Sequence, residues 1–200
     1  MTSRAVRLAT LRLRDFRNFT RLDLALPAAG LVVVGENGQG KTNLLEAAYY
    51  LQLLRSVRGA RDVDLVRFGA AGFHVEGRVE AGPAVAVGFE RGSRRKRVTL
   101  DGTPMARLSD AIGALPAVMF SPSDVELVAG APVARRRYLD IQLALTSRPY
   151  LAALQTYRGA LARRNAALRD AARTGRADAR VTVWDAPLAE AGGVLWRHRA

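Results

Sequence analysis

A mixed α/β fold, with a sheet around one central helix and an antiparallel helical hairpin after it, is predicted by three stretches of this sequence. The first is Leu31-Val32-Val33-Val34, then Gly35-Glu36-Asn37-Gly38-Gln39-Gly40-Lys41-Thr42, then Asn43-Leu44-Leu45-Glu46-Ala47-Ala48. An apolar run, a glycine-punctuated turn and an amphipathic segment follow one another as strand, loop and helix. The second is a set of short period-two alternations on both sides of that loop. The third is Tyr150, Leu154, Tyr157, Leu161 and Leu168, whose coiled-coil spacing resumes at Val181, Trp184, Leu188, Ala191 and Leu195.

The glycine-rich turn has the form G-x-x-x-x-G-K-[ST], a phosphate-binding loop. Backbone N–H groups can wrap phosphate oxygens only where side chains stay clear and some residues take positive φ, which glycine does at least cost. The helix behind it adds unpaired N-terminal amides and the positive end of its dipole. Candidate nucleotide contacts are therefore Gly35, Glu36, Asn37, Gly38, Gln39, Gly40, Lys41, Thr42 and Asn43. Lys41 would reach the β- and γ-phosphates of ATP, and the Thr42 hydroxyl would bind Mg²⁺. Lys41 and Lys96 are the only lysines among 31 basic residues. A lysine kept inside the loop of an arginine-preferring chain points to a task that a planar guanidinium does badly.

The remaining elements follow in order. Leu11 and Leu13 alternate with Arg12 and Arg14, and Leu22, Leu24 and Leu26 with Arg21, Asp23 and Ala25, giving two strands joined by Asp15-Phe16-Arg17-Asn18. Pro27 and Gly30 turn the chain into the central strand, Leu31–Val34. Leu44, Leu45, Ala48, Leu51 and Leu54 mark a mostly buried helix. Beyond it, Phe73, Val75 and Val79, then Val85, Val87 and Phe89, then Val98 and Leu100 read as strands, the last before an Asp101-Gly102 turn. Ala117–Phe120 reads as a further buried strand ending at Ser121-Pro122, with Ser123 or Asp124 as a helix cap. Gly130 and Pro132 end that helix, and another opens at Arg135. Residues 1–120 thus form a nucleotide-binding lobe, and residues 121–200 a helical lobe whose two long helices turn at Arg173-Thr174-Gly175-Arg176.

Composition narrows the partners. With 200 residues, 49% of them hydrophobic and 24% charged, the chain can bury a core. A formal net charge of +13 favours polyanions, either nucleic acid or an acidic surface. Three arginine-rich stretches are candidate phosphate-backbone contacts: Arg55, Arg58 and Arg61; Arg94, Arg95, Lys96 and Arg97; and Arg135, Arg136 and Arg137. A tight hairpin tip is equally a solvated one, and Arg135–Arg137 could instead pack the helical lobe on the sheet. No cysteine is present, which excludes disulfides and thiol chemistry, and His74 and His198 are too few for a metal cluster. No run approaches the roughly 20 apolar residues of a membrane span. The basic N-terminus lacks the apolar core of a secretory signal and alternates like a strand rather than an organelle presequence.

Hydrolysis would also need a carboxylate ending a second buried strand. Ala117–Phe120 runs into Ser121-Pro122, and Val63-Asp64-Leu65-Val66 into Arg67, so no catalytic residue is identifiable. The chain is expected to be the front part of a longer protein.

The residues quoted resemble the N-terminal half of the RecF family, which is related to SMC proteins and ABC ATPases. The resemblance rests on Asp15-Phe16-Arg17-Asn18, on Gly35 through Ala47, and on Phe120-Ser121-Pro122-Ser123-Asp124 leading to Arg135-Arg136-Arg137-Tyr138-Leu139-Asp140. Arg164-Asn165 and Trp184-Asp185 add to it. It implies a phosphate-loop head of ABC-ATPase type whose C-terminal part is absent, followed by the hairpin lobe. It also implies nucleotide contact by Arg17, ATP and Mg²⁺ as cofactors, and an ATP-dependent homodimer. The implied partners are single-stranded, duplex and gapped DNA, mediators of the RecR and RecO type, and RecA, which the family helps to load. Gap repair, replication restart and the SOS response in the bacterial cytoplasm are the implied setting. A weak DNA-dependent ATPase is implied for the family, but the signature motif and second carboxylate lie outside this chain. Alternatives are a head of another SMC-like or ABC-type ATPase, or a small P-loop phosphotransferase.

Overall fold

Alternating side chains build one six-stranded sheet. In the computed structural model, which describes residues 7–174 and 179–199, β1 (Leu8–Phe16) lies between β2 (Phe19–Ala25) and β3 (Gly72–Val79). Then β4 (Ala84–Glu90), β5 (Arg95–Leu100) and the two-residue β6 (Thr103–Pro104) extend the β3 side as a meander. Among the described residues every strand pairing is antiparallel. One face is apolar: Leu11, Leu13, Phe16, Phe73, Val75, Val87, Phe89 and Val98 are buried there. Helix α1 (Lys41–Leu53) covers it with Ala47, Tyr50 and Leu51. Edge-on ring pairs lock the contact, with Phe16 to Phe73 at 5.3 Å and Tyr50 to Phe73 at 5.6 Å between centroids. Burying each such side chain contributes on the order of 2 kcal/mol.

Two apolar runs that read as buried strands are neither paired nor buried. Leu31–Val34 joins no ladder, and Val32 is 85% and Val34 84% exposed. In Ala117–Phe120, likewise unpaired, Val118 is 100% and Phe120 89% exposed. An unbroken apolar run suits a strand buried on both faces, and such a strand needs neighbours on both edges. The six alternating strands satisfy one another within their own antiparallel sheet, and no strand among the described residues flanks either run.

The chain divides into two compact units between Met119 and Phe120. The second is helical. A 3₁₀ turn at Pro122–Val125 is closed by the Asp124 carboxylate, which accepts the Ser121 N–H at 2.7 Å; the side chain of Ser123 lies outside the described residues. Short α2 (Asp62–Leu65) belongs to the first unit; α3 (Glu126–Ala129) and α4 (Pro132–Thr146) open the second. Pro132 sits at the first turn of α4, where its missing N–H costs nothing, so this helix begins three residues before Arg135. Then α5 (Arg148–Thr174), α6 (Ala179–Thr182) and α7 (Asp185–Arg199) complete it.

The hairpin is antiparallel, because partners fall along α7 as they rise along α5. Tyr150 meets His198, Tyr157 lies beside Gly192, and Arg164 pairs with Asp185 at 2.7 Å. The second helix is interrupted at Val183-Trp184, where the sequence spacing alone runs through; residues 175–178 of the expected turn lie outside the described residues. Buried Asp140 pins the hairpin base, accepting from Tyr150 Oη at 2.5 Å, Arg158 at 2.9 Å and Arg199 at 2.5 Å. Burial would raise this carboxyl, but those donors hold it below the usual aspartate range.

Candidate functional site

The segment from Gly35 to Thr42 curls into a compact turn that feeds α1. Gly35, Gly38 and Gly40 take φ of 150°, 85° and 105°, the last two squarely in the left-handed region that favours glycine. Gly40 is the residue before α1, no side chain caps the helix, and no acidic residue occupies its first turn. A helix entered this way presents free amides and the positive end of its dipole. Such an end suits an anion.

Two side chains brace the loop from within. Lys41 Nζ donates to the carbonyls of Gly35 and Glu36, at 2.7 Å each, so the ammonium is folded back over the loop it follows. Gln39 Oε1 accepts the Glu36 N–H at 3.2 Å. Glu36, Asn37, Gly38 and Gln39 are exposed, as is the Thr42 hydroxyl on the first turn of α1. The residues present therefore fit a polyphosphate, with an open glycine cradle, a helix N-terminus and one ammonium at hand.

Beneath the loop lies a polar cluster that sequence reasoning did not find. Glu46, on the inner face of α1, has 0% exposure. Its carboxylate accepts from Arg17 Nε and Nη2 at 3.0 Å each, from Ser56 Oγ at 2.5 Å and from Arg58 Nη1 at 3.4 Å. Burial pushes this carboxyl up; Arg17 first, then Ser56 and Arg58, more than reverse that and keep it ionised below its ordinary range. Arg17 also donates to the Asp64 carbonyl at 3.2 Å, so all three of its nitrogens are engaged inside the protein. The Arg17 guanidinium, expected to touch nucleotide, is bound to Glu46 and to the Asp64 carbonyl in the wall behind the loop. The signal for this cluster was an acid at a buried helical position with arginines on either side in sequence.

The arginine-rich stretches divide by environment. Lys96 points inward: its ammonium donates to the Leu54 carbonyl at 2.7 Å, pairs with Asp62 at 2.6 Å and lies 5.3 Å from the centre of the Tyr50 ring. Tyr50 in turn donates to Asp62 at 2.7 Å. Burial, then the charge and hydrogen bond of Asp62, push the Tyr50 phenol up, so it stays protonated. Arg94, Arg95 and Arg97 stand exposed on the same hairpin. Arg61 is tied to Asp64 through two bonds, Arg58 is shared between Glu46 and Asn43, and Arg55 is half-buried. In the second unit Arg136 and Arg137 are exposed, while Arg135 donates to the Gly130 carbonyl at the end of α3.

No protein-family model matches the chain. Among curated proteins it is 37% identical over 193 residues to the DNA replication and repair protein RecF of Chlamydia trachomatis serovar L2, covering 95% of this chain and 51% of that protein. It is 41% identical over 196 residues to the RecF of a Synechococcus strain, covering 96% and 52%. The chain thus spans about half the length of the curated relatives it matches. Two solved structures of the recombination mediator RecF in the RecFOR pathway, described with ATP and with ATPrS, superpose with TM-scores of 0.87 and 0.86 at 28% identity. Each match covers 97% of this chain and 53% of the solved one.

Proposed function

From the premise that this chain is a RecF homologue along almost its entire length, we propose that it carries the ATP-binding portion of an ATP-dependent, DNA-binding recombination mediator of bacterial gap repair. The single observation that carries this reading is the loop at 35–42, a left-handed glycine cradle running into an uncapped, acid-free helix N-terminus with Lys41 folded over it. There the amides of residues 35–42 would hold the triphosphate, and Lys41 would exchange loop carbonyls for phosphate oxygens. The exposed Thr42 hydroxyl would hold Mg²⁺ together with the nucleotide's own oxygens. Bound ATP and Mg²⁺ would supply the charge and the leaving group for phosphoryl transfer, while the groups of this chain would bind and orient them.

DNA would be met by exposed arginines: Arg94, Arg95 and Arg97 on the β4–β5 hairpin, Arg58 beside α1, and Arg136 and Arg137 on α4. Such contacts read phosphate rather than base and weaken steeply with salt. By its resemblance to RecF, the full-length protein would act in the bacterial cytoplasm with RecR- and RecO-type mediators and RecA, as an ATP-dependent dimer. Among the described residues no helix is long and apolar enough to cross a membrane.

The test is filter binding of duplex, single-stranded and gapped DNA across a salt series, with and without MgATP. Steep salt dependence and stronger DNA binding with MgATP are expected. Phosphorylation of a small molecule without DNA would support the phosphotransferase alternative and overturn this reading. Lys41→Ala is expected to abolish MgATP binding in equilibrium dialysis while leaving the circular dichroism spectrum unchanged.

A further inference from the structure

The turn between β1 and β2 reaches the phosphate loop through one side chain. Asn18 Nδ2 donates to the Gln39 carbonyl at 3.1 Å, and Asn18 Oδ1 accepts from Asn43 Nδ2 at 2.9 Å. The amide lies so close to the loop that a Cβ on Gly40 would come within 2.5 Å of Asn18 Nδ2. Asn43 Oδ1 accepts in turn from Arg58 Nη1 at 3.2 Å. The direction of this chain is fixed by its two ends, because a guanidinium can only donate and a carbonyl can only accept. Arg58 therefore orients Asn43, Asn43 orients Asn18, and Asn18 holds the Gln39 carbonyl.

That last bond has a consequence for the loop. The described chain has no cis peptide, and in a trans peptide the C=O and the following N–H point in opposite directions. Pinning the Gln39 carbonyl toward Asn18 drives the Gly40 N–H to the other side. Gly40 immediately precedes α1, so its amide belongs to the set offered to an anion at the helix start.

The turn that presents Asn18 is itself forced. Asp15 and Arg17 are non-glycine residues at φ of 50° and 56°, a left-handed conformation that side chains with a Cβ disfavour. The surroundings hold it in place. Arg17 N donates to Leu65 O and Arg67 N to Asp15 O, while the Arg17 guanidinium is clamped on buried Glu46 and Arg67 pairs with Asp15 at 2.7 Å. Strain so firmly enforced delivers one exposed asparagine to one loop carbonyl.

We propose that Asn18 is a positioning residue of the nucleotide site, aiming the Gly40 amide at bound phosphate, and that Asn43 and Arg58 are its support. The proposal rests on the nucleotide reading above. It also joins the loop at residues 55–61 to the phosphate loop through a continuous chain of hydrogen bonds, so the state of Arg58 is felt at the nucleotide.

MgATP and MgADP binding to the 200-residue chain, read by equilibrium dialysis and by ligand-induced shifts in melting temperature, tests it. Asn18→Ala is expected to weaken both nucleotides about tenfold. Asn18→Asp is expected to lose at least as much, since a carboxylate keeps the bond from Asn43 but repels the Gln39 carbonyl. Apo melting temperatures should stay at the wild-type value, because the side chain is exposed. Arg58→Ala should cost about threefold alone and nothing further in the Asn18→Ala background, the non-additivity expected of one network. Wild-type affinity in Asn18→Asp, or full additivity of the pair, would overturn the proposal while leaving the nucleotide reading standing. Failure of the wild type to show MgATP binding that Lys41→Ala removes would overturn both.

Discussion

Replacing Glu46 by glutamine keeps the side chain's shape and removes its charge from a position with 0% exposure. Breaking a buried ion pair from one side costs about 3–5 kcal/mol, because the partner is left uncompensated. Arg58 is half exposed and its share is screened by water, and the glutamine oxygen retains one bond to Arg17. The lower end, about 3 kcal/mol near neutral pH, is therefore expected. The two tryptophans, Trp184 and Trp196, report on the helical unit, so urea unfolding should be followed by hydrogen exchange of β1 and β3 amides. Acid supplies the decisive arm. The folded Glu46 carboxyl sits below its ordinary 4.5, so its stabilisation is complete above that value and is lost as pH falls through the lowered folded value. Glutamine does not titrate, so the gap between wild type and variant should close on acidification, while losses from Asp140 and other carboxylates are common to both and cancel. A gap under about 1 kcal/mol at neutral pH, or one that persists undiminished into strong acid, would refute the assignment of Glu46 as the charged centre of this cluster.

Lys96→Ala should destabilise the first unit by about 1–3 kcal/mol, since it takes the ammonium from Asp62, leaving it the Tyr50 hydroxyl, and removes this donor from the Leu54 carbonyl, and it should leave the salt slope of DNA binding unchanged. Arg97→Ala, at an exposed site, should do the reverse: stability within about 0.5 kcal/mol, and a slope reduced by roughly one in a salt titration. Asp140→Asn should cost the helical hairpin about 2 kcal/mol, read by Trp196 fluorescence in urea, because Arg158 and Arg199 lose their shared carboxylate. Val32→Thr should change thermal stability by no more than about 0.5 kcal/mol, whereas Val75→Thr, which buries a hydroxyl, should cost about 1–3 kcal/mol.

Legibility followed the length scale of the interaction. Strands β1 to β5 could be read from alternation, because each turns one face toward a shared apolar core and the other toward water, and the phosphate loop could be read because its glycines answer a local backbone demand. The hairpin could be read because α5 and α7 pack on each other in sequence-adjacent fashion. Leu31–Val34 and Ala117–Phe120 misled, since apolarity measures what a segment would bury and carries no information about which neighbour buries it. Lys96 misled for the opposite reason. Inside a run of arginines it looked solvated, yet β5 alternates, and Lys96 falls on the face that meets Tyr50 and Asp62 while Arg95 and Arg97 fall on the other.

That alternation bears on how the site works. One element, α1, carries Lys41 and Thr42 at its start, Asn43 and Glu46 within its first two turns, and Tyr50 on the next, so the groups proposed to meet nucleotide and the core anchors share one helix. Glu46 fixes the β1–β2 turn through Arg17 and the loop after α1 through Ser56 and Arg58; Tyr50 and Asp62 fix Lys96, and with it β5. A displacement of the first turn of α1 by an arriving phosphate therefore cannot remain local: it must stretch bonds to residues 17, 18 and 58 or carry them along. Arg58, half exposed at the end of that chain, is the basic side chain outside the phosphate loop whose position depends most directly on the loop, through Asn43 and Asn18. Arg94, Arg95 and Arg97, on the far side of the Lys96 anchor, would meet DNA with or without nucleotide. On the function proposed above, Arg58→Ala should therefore shrink the difference between DNA affinities measured with and without MgATP, whereas Arg97→Ala should lower both alike.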